Sequence, residues 1–261
     1  MINKTFIHCA GIGPTYERKL YDAGFKDWAS VLGNPNALPF KGKASVSLIN
    51  ELTKSTIALN EGDIRYLVER FPVREHWRIL GHFFDKASYF DIETTDIAFD
   101  NAIVTLIVCY HKGKFYRFMR DENLDDFLDL LKDIELLVSF NGNSFDVPFI
   151  LKNYHISDIP CAHIDLRWQC YHCQYKHGLK NIEYEMGIQR PGDLQGIDGL
   201  EAVYLWHNWQ NGDFESKKRL IRYCSADVLS LQLIAGNILR HRGIEVELPL
   251  PSELWGCLEM L

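Results

Sequence analysis

A chain of 261 residues has room for one large domain, or for a medium domain beside a small one. Its shares of hydrophobic (47%) and charged (24%) residues are those of a soluble globular protein, and no apolar run approaches the roughly 20 residues that a membrane-spanning helix needs. The net charge of −7 argues against tight non-specific duplex binding, although acidic side chains that hold divalent cations, or a local basic patch, leave room for a nucleic-acid partner. The first 20 residues make a poor signal peptide, because His8, glycines and a proline break the short apolar patch. The 7 cysteines are an odd count scattered through apolar segments such as Val108-Cys109-Tyr110, so a reduced, cytoplasmic setting is expected.

Taken from the start, residues 16–23, 28–32, 45–59 and 64–68 carry apolar side chains at helical spacing, broken by Gly33, Pro35, Pro39 and Gly42. Gly11-Ile12-Gly13-Pro14 ahead of the first segment resembles the hairpin of a helix-hairpin-helix element, whose backbone at Gly11 and Gly13 could hold a phosphate. Such hairpins also serve purely as packing units. A dinucleotide fingerprint is excluded, since Tyr16 occupies its third glycine position.

The chain changes character near residue 80. Residues 87–92, 103–110 and 115–119 read as strands, the last two joined by a turn at His111-Lys112-Gly113-Lys114. Then follow a helix at 125–131, a strand at 136–140, a helix at 146–154, a strand at 162–166, helices at 167–175 and 179–186, and a long helix at 216–239. An antiparallel start followed by helix-linked strands predicts an α/β fold, a mixed sheet with helices on both faces. The expected organisation is a helical region 1–80, a core domain 81–245 and a tail 246–261.

Three acidic segments stand out. Asp91 and Glu93 lie two apart at the end of the first strand and therefore share a face. An isolated Asp-x-Glu is equally the solvated end of a strand. Behind Tyr89-Phe90, however, the strand reads as central, and two buried charges about 4 Å apart repel by ~4 kcal/mol at an effective dielectric near 20. A cation would offset that. Asp146 follows the turn Asn141-Gly142-Asn143, with Asn143 or Ser144 as candidate cap and Pro148 in the first helical turn, where an acid also simply suits the helix dipole. Tyr223 and Asp227, four apart on the long helix, share a largely apolar face where an acid wants a partner.

The runs Phe90-Asp91-Ile92-Glu93-Thr94-Thr95, Asn141-Gly142-Asn143-Ser144-Phe145-Asp146 and Tyr223-Cys224-Ser225-Ala226-Asp227 together resemble the motifs of the DEDD exonuclease superfamily. The third is of the tyrosine type, since Arg222 stands where the histidine type carries its histidine. Leu179-Lys180-Asn181-Ile182-Glu183, Gly187-Ile188-Gln189-Arg190 and Gly196 bring the chain closer to the YprB-like family of RNase H-fold proteins, from which Tyr223 departs towards the polymerase-proofreading pattern. The resemblance implies an RNase H-like sheet and metal-dependent 3′→5′ hydrolysis of single-stranded DNA or RNA. It implies two Mg²⁺ or Mn²⁺ ions held by Asp91, Glu93, Asp146 and Asp227, with Tyr223 aligning the attacking water and Thr95, Asn141 and Phe145 contacting the terminal nucleotide. All-oxygen ligands suit those ions better than zinc.

Rival readings are a non-catalytic nucleic-acid-binding module and an endonuclease on RNA–DNA hybrids. The intact acids weigh against the first, and Tyr223 with Asp227 against the second. Cys170-x-x-Cys173, near Cys161, His163, His172 and His177, suggests zinc, but no second pair follows at finger or ribbon spacing. Asp165 is expected to cap the helix from Arg167, or else to stand behind the acids. Removal of Asp91 or Asp227 is expected to relieve repulsion and raise metal-free heat stability.

Overall fold

The computed structural model describes residues 2–96, 101–196 and 199–260. The chain divides into two compact units, Met1–Phe83 and Phe84–Leu261. The first is helical: α1 (Pro14–Asp22), α2 (Trp28–Gly33), α3 (Lys43–Glu61), α4 (Ile64–Arg70) and α5 (His76–His82). α3 buries Leu48, Leu52, Ser55 and Ala58 along one stripe and stops at Gly62 in the left-handed region. Asp27 caps α2 and Asp63 caps α4.

Among the described residues, a 3-10 turn, Ile2–Lys4, lies ahead of Gly11, and α1 follows Gly13. Glu17 of α1 fixes that leading segment by accepting from the Thr5 hydroxyl at 2.6 Å and the Phe6 N–H at 2.8 Å. α5 was not expected, because its seven residues, with Trp77, Ile79 and Leu80 alone apolar, are too few to show a period; it opens on the buried His76. Its Nε2 lies 3.1 Å and 3.0 Å from the carbonyl oxygens of Val68 and Phe71.

The second unit is built on β1 (Ala87–Thr94), β2 (Val104–His111), β3 (Lys114–Met119), β4 (Leu136–Ser139) and β5 (Ala162–Asp165), in the order β3-β2-β1-β4-β5. β1 and β2, and β2 and β3, are antiparallel; β1, β4 and β5 run parallel. Lys112 and Gly113, at φ 49° and 77°, make the tight turn whose twist matches the β2–β3 hairpin. The helices are α6 (Phe127–Asp133), α7 (Asp146–Tyr154), α8 (Leu166–His172), α9 (Leu179–Glu185), α10 (Gly199–Gln210), α11 (Phe214–His241) and α12 (Pro251–Gly256). This is the expected mixed sheet flanked by helices.

Alternation along β1 sorts the layers. Phe90 and Ile92 enter a core with Phe127 and Leu131 of α6 and Phe149 and Ile150 of α7. Tyr89, Asp91 and Glu93 point to the other face, where the Cys224 thiol of α11 reaches Asp91. Residues 246–260, expected as a tail, pack on α11: Arg222 donates to the Leu258 carbonyl at 2.9 Å, and a Cβ at Gly236 would lie 2.4 Å from Leu248 Cδ1.

Two parallel strands part where the site forms. β1 pairs with β4 only as far as Tyr89↔Val138, yet continues to Thr94. That opens a crevice at the carboxyl ends, the position at which open α/β sheets take ligands. The chain leaves β4 through Asn141, at φ 68°, and Gly142, where a Cβ would fall 1.9 Å from Ser139 Oγ. The α7 cap is Phe145, with no side-chain bond, and not Asn143 or Ser144 as expected. Asn143 Oδ1 lies instead 3.1 Å from His163 Nδ1. Gly142→Ala should therefore lower stability by about 1–3 kcal/mol through overpacking. Urea denaturation checks this, and an unchanged midpoint would mean that the loop has room.

Candidate metal centre

On β1 the alternation that buries Phe90 and Ile92 leaves Asp91 and Glu93 together on the α11 face, with Glu93 buried and Asp91 partly so. A register shift between Glu93 and Thr94 ends the regular pairing with β2 there. α11 supplies Tyr223, Cys224 and Asp227, all buried, within little more than one turn. Cys224 Sγ lies 3.6 Å from Asp91 Oδ2 and 3.7 Å from the Asp91 carbonyl, and ligand atoms of Asp91, Glu93 and Cys224 all fall within 4.8 Å of one another. Asp146 enters from the first turn of α7, buried. Asp146 and Asp227 fall outside that 4.8 Å group but within its electrostatic field.

Burial first, then the charges of Asp146, Asp227 and Glu93, push the Asp91 carboxyl well above its ordinary range. Burial and Asp227 do the same to Glu93. Asp146 is pushed up to about 7, by burial first and by Asp165 and Asp227 against its backbone hydrogen bonds. Asp227 goes the other way: burial would raise it, but Lys180 and Arg190 outweigh that and hold it low. Its Oδ1 is paired to both cations. Glu93 Oε1 and Asp146 Oδ1 are buried and, among the described residues, have no hydrogen-bond partner. Carboxylates crowded to the point of resisting ionisation, with lone pairs unmet, are a donor set that suits a hard divalent cation.

Lys180, Glu183 and Arg190 were not singled out as site residues in the sequence. Glu183 holds the Arg190 guanidinium with both oxygens, one at 2.7 Å, and both side chains are buried. Lys180 Nζ also stands 4.6 Å from the Tyr223 ring centre. The signal available was the spacing of Lys180 and Glu183 on one helix face, but Arg190 lies beyond that helix and only folding brings it to Asp227.

The other expected residues take these places. The Thr95 hydroxyl accepts from Ile103 N–H at 3.1 Å, and Phe145 packs on Phe149 with ring centres 4.7 Å apart. Asn141 Oδ1 accepts from Arg167 at 2.5 Å. Asp165 is a cap and a brace. It accepts from Arg167 N–H at 2.9 Å and from Asn141 and Asn143 N–H at 2.8 and 3.1 Å. Cys170 and Cys173 are buried free thiols, and among the described residues they join no group of three metal-ligating side chains. Gly11 and Gly13 belong to the first unit, on the turn before α1.

A sequence model of the RNase H superfamily matches residues 88–239, from β1 through nearly all of α11. The chain belongs to the RNase H superfamily. No curated protein matches its sequence. Among solved structures, the family B DNA polymerase from the hyperthermophilic archaeon Pyrobaculum calidifontis aligns at TM-score 0.48 and 19% identity, over 59% of this chain and only 24% of that one. A structure described as the apo form of a nuclease aligns at TM-score 0.44 and 15% identity, over 69% of this chain and 83% of that one. No helix of this RNase H-superfamily chain, among its described residues, is long and apolar enough to cross a membrane.

The ion pairs at Asp227 set it apart from Asp91. Removing Asp91 relieves repulsion; removing Asp227 strands Arg190 and Lys180 without their counter-charge. Metal-free Asp91→Asn should melt higher than wild type and Asp227→Asn lower, by calorimetry in EDTA. Equal shifts would refute the assignment. Carboxyls raised in the folded state bind protons there that the unfolded chain has released. The stability they contribute is thus present near pH 4 and lost as pH rises through about 7 for Asp146. In EDTA, stability should fall from pH 5 to 7.5, and saturating Mn²⁺ should flatten that fall. A flat metal-free profile would contradict the crowding.

Proposed function

We propose that the chain is a metal-dependent 3′→5′ exonuclease of the DEDD type with a tyrosine in its third motif, resembling the YprB-like family. It would hydrolyse phosphodiester bonds at the 3′ ends of single-stranded DNA, with RNA as the alternative substrate. One observation carries this reading. Asp91, Glu93, Asp146 and Asp227 share one electrostatic field, and two of their buried oxygens have no hydrogen-bond partner among the described residues.

Two Mg²⁺ or Mn²⁺ ions, when bound, would ionise a water near neutral pH and steady the leaving 3′ oxygen. Asp91 would serve both, Glu93 and Asp227 the nucleophile side, and Asp146 the other. Tyr223 is buried, and burial followed by Asp227, Glu93 and Asp91 drives its hydroxyl far above the usual phenol range. Burial thus favours the protonated phenol, and the hydroxyl would orient a water by hydrogen bonding. Arg190, anchored by Glu183, would hold Asp227 in one orientation. Thr95, Asn141 and Phe145 would meet the terminal nucleotide. The turn at Gly11 and Gly13 would offer backbone N–H groups to a phosphate, a contact that reads no sequence.

The test uses single-stranded DNA and RNA labelled at either end, with Mg²⁺, Mn²⁺ or EDTA. A 3′ label should leave at once as mononucleotide, while 5′-labelled strands shorten in a ladder, and EDTA or Asp91→Asn should abolish both. Internal fragments, or cleavage in EDTA, would sink the reading. Tyr223→Phe should slow single-turnover cleavage by roughly 10²–10⁴, the effect of one positioned catalytic group, with Mn²⁺ affinity retained. An unchanged rate would make Tyr223 a packing residue.

A further inference from the structure

The carboxyl edge of the sheet carries a second chemistry beside the acids. α8 starts at the end of β5 and exposes Trp168 by 43% and Tyr171 by 47%. Three apart on a helix, the two rings share a face and meet edge to face with centres 6.1 Å apart. Exposed aromatic rings next to each other are costly in water unless something covers them in function. What surrounds them is cationic. Lys176 Nζ stands 5.3 Å from the Tyr171 ring centre, and Arg167 bonds to Asn141. With His177 these side chains line a cleft of about 360 Å³. Among the described residues that line it there is no carboxylate, in a chain whose net charge is −7. Glu185, which pairs with His177 at 3.4 Å, is not among them.

The position of this cleft ties it to the acids. Asn141, on its lining, opens the loop that leads to Asp146, and Asp165, the residue before α8, holds that loop through Asn141 and Asn143 N–H. β5 lies two strand spacings from β1, roughly 10 Å. A strand whose 3′ end reached Asp91 is long enough within a few nucleotides to reach α8.

We propose that this cleft binds the nucleotides just upstream of a single-stranded 3′ end, with bases stacked on Trp168 and Tyr171 and phosphates on Arg167 and Lys176. The inference rests on the exonuclease reading for where the 3′ end lies. Aromatic platforms flanked by basic side chains bind single strands of any sequence, because every base has a π-face. A duplex has those faces already stacked inside, so the cleft selects single strands.

The experiment measures anisotropy of a fluorescein-labelled oligothymidylate with Ca²⁺ in place of Mg²⁺, titrated with wild type, Trp168→Ala, Tyr171→Ala and Trp168→Phe. Both rings are partly exposed, so the variants should fold, which circular dichroism checks. Each alanine should weaken binding by about 5- to 150-fold, the value of one base stacked on an aromatic ring, and Trp168→Phe should recover most of it. Lys176→Ala should reduce the slope of log affinity against log salt by about 0.7, the share of one phosphate contact. In cleavage assays the alanine loss should sit in KM and not in kcat. Alanine variants that bind as wild type does, a wild type that binds no oligothymidylate, or a duplex bound as tightly as the single strand would each overturn the proposal. A wild type that binds through Trp168 and Tyr171 but cleaves neither labelled strand would support the platform and refute the exonuclease reading. Cleavage with undiminished binding by both alanine variants would refute the platform alone.

Discussion

Repulsion among buried carboxylates is the constraint around which the second unit is arranged. Asp91, Glu93 and Asp146 are each driven towards their protonated forms by burial first and by neighbouring carboxylates besides. Such a cluster survives folding only if other terms outweigh it. Here they are the apolar packing of Phe90 and Ile92 behind the acids, and the fixed cations Lys180 and Arg190 beside Asp227. The protein thus neutralises one of the four acids by itself and leaves the others in want of positive charge. That asymmetry is the physical content of the site. It separates a group held ionised by its neighbours from groups whose ionisation waits on a ligand.

The sheet makes this crowding possible. β1 outruns β4, and the space it leaves admits the first turn of α7 with Asp146. The connection has no slack: Asn141 takes a left-handed backbone, Gly142 passes too close to Ser139 for a side chain, and Asp165 from the neighbouring strand ties down the N–H groups of the loop. One carboxylate outside the cluster therefore positions a carboxylate within it, and also begins α8. The acids and the aromatic face of α8 are products of the same two strand ends.

Charge is distributed to the same purpose. The total is negative, yet Lys180 and Arg190 stand at Asp227, and Arg167 and Lys176 line the cleft at α8. A net charge averages over such placements and so says little about where an anionic polymer could lie.

What the sequence determined by itself is what local periodicity and residue type can carry. The five strands, their alternation and the long final helix follow from patterns of two and of three to four residues. The same patterns put Asp91 with Glu93 on one face and Tyr223 with Asp227 on another. α5 is too short for its three apolar residues to show a period, and α10 does not stand out in the pattern either. The tertiary structure alone decided the relations between distant residues. Arg190 meets Asp227 across 37 positions of chain, and Cys224 meets Asp91 across 133, contacts to which no spacing rule applies. It also decided that Asp227 is held ionised while Asp91 is not, because a carboxyl's ionisation depends on the charges and the water around it in space, and these are fixed only when the chain has closed upon itself.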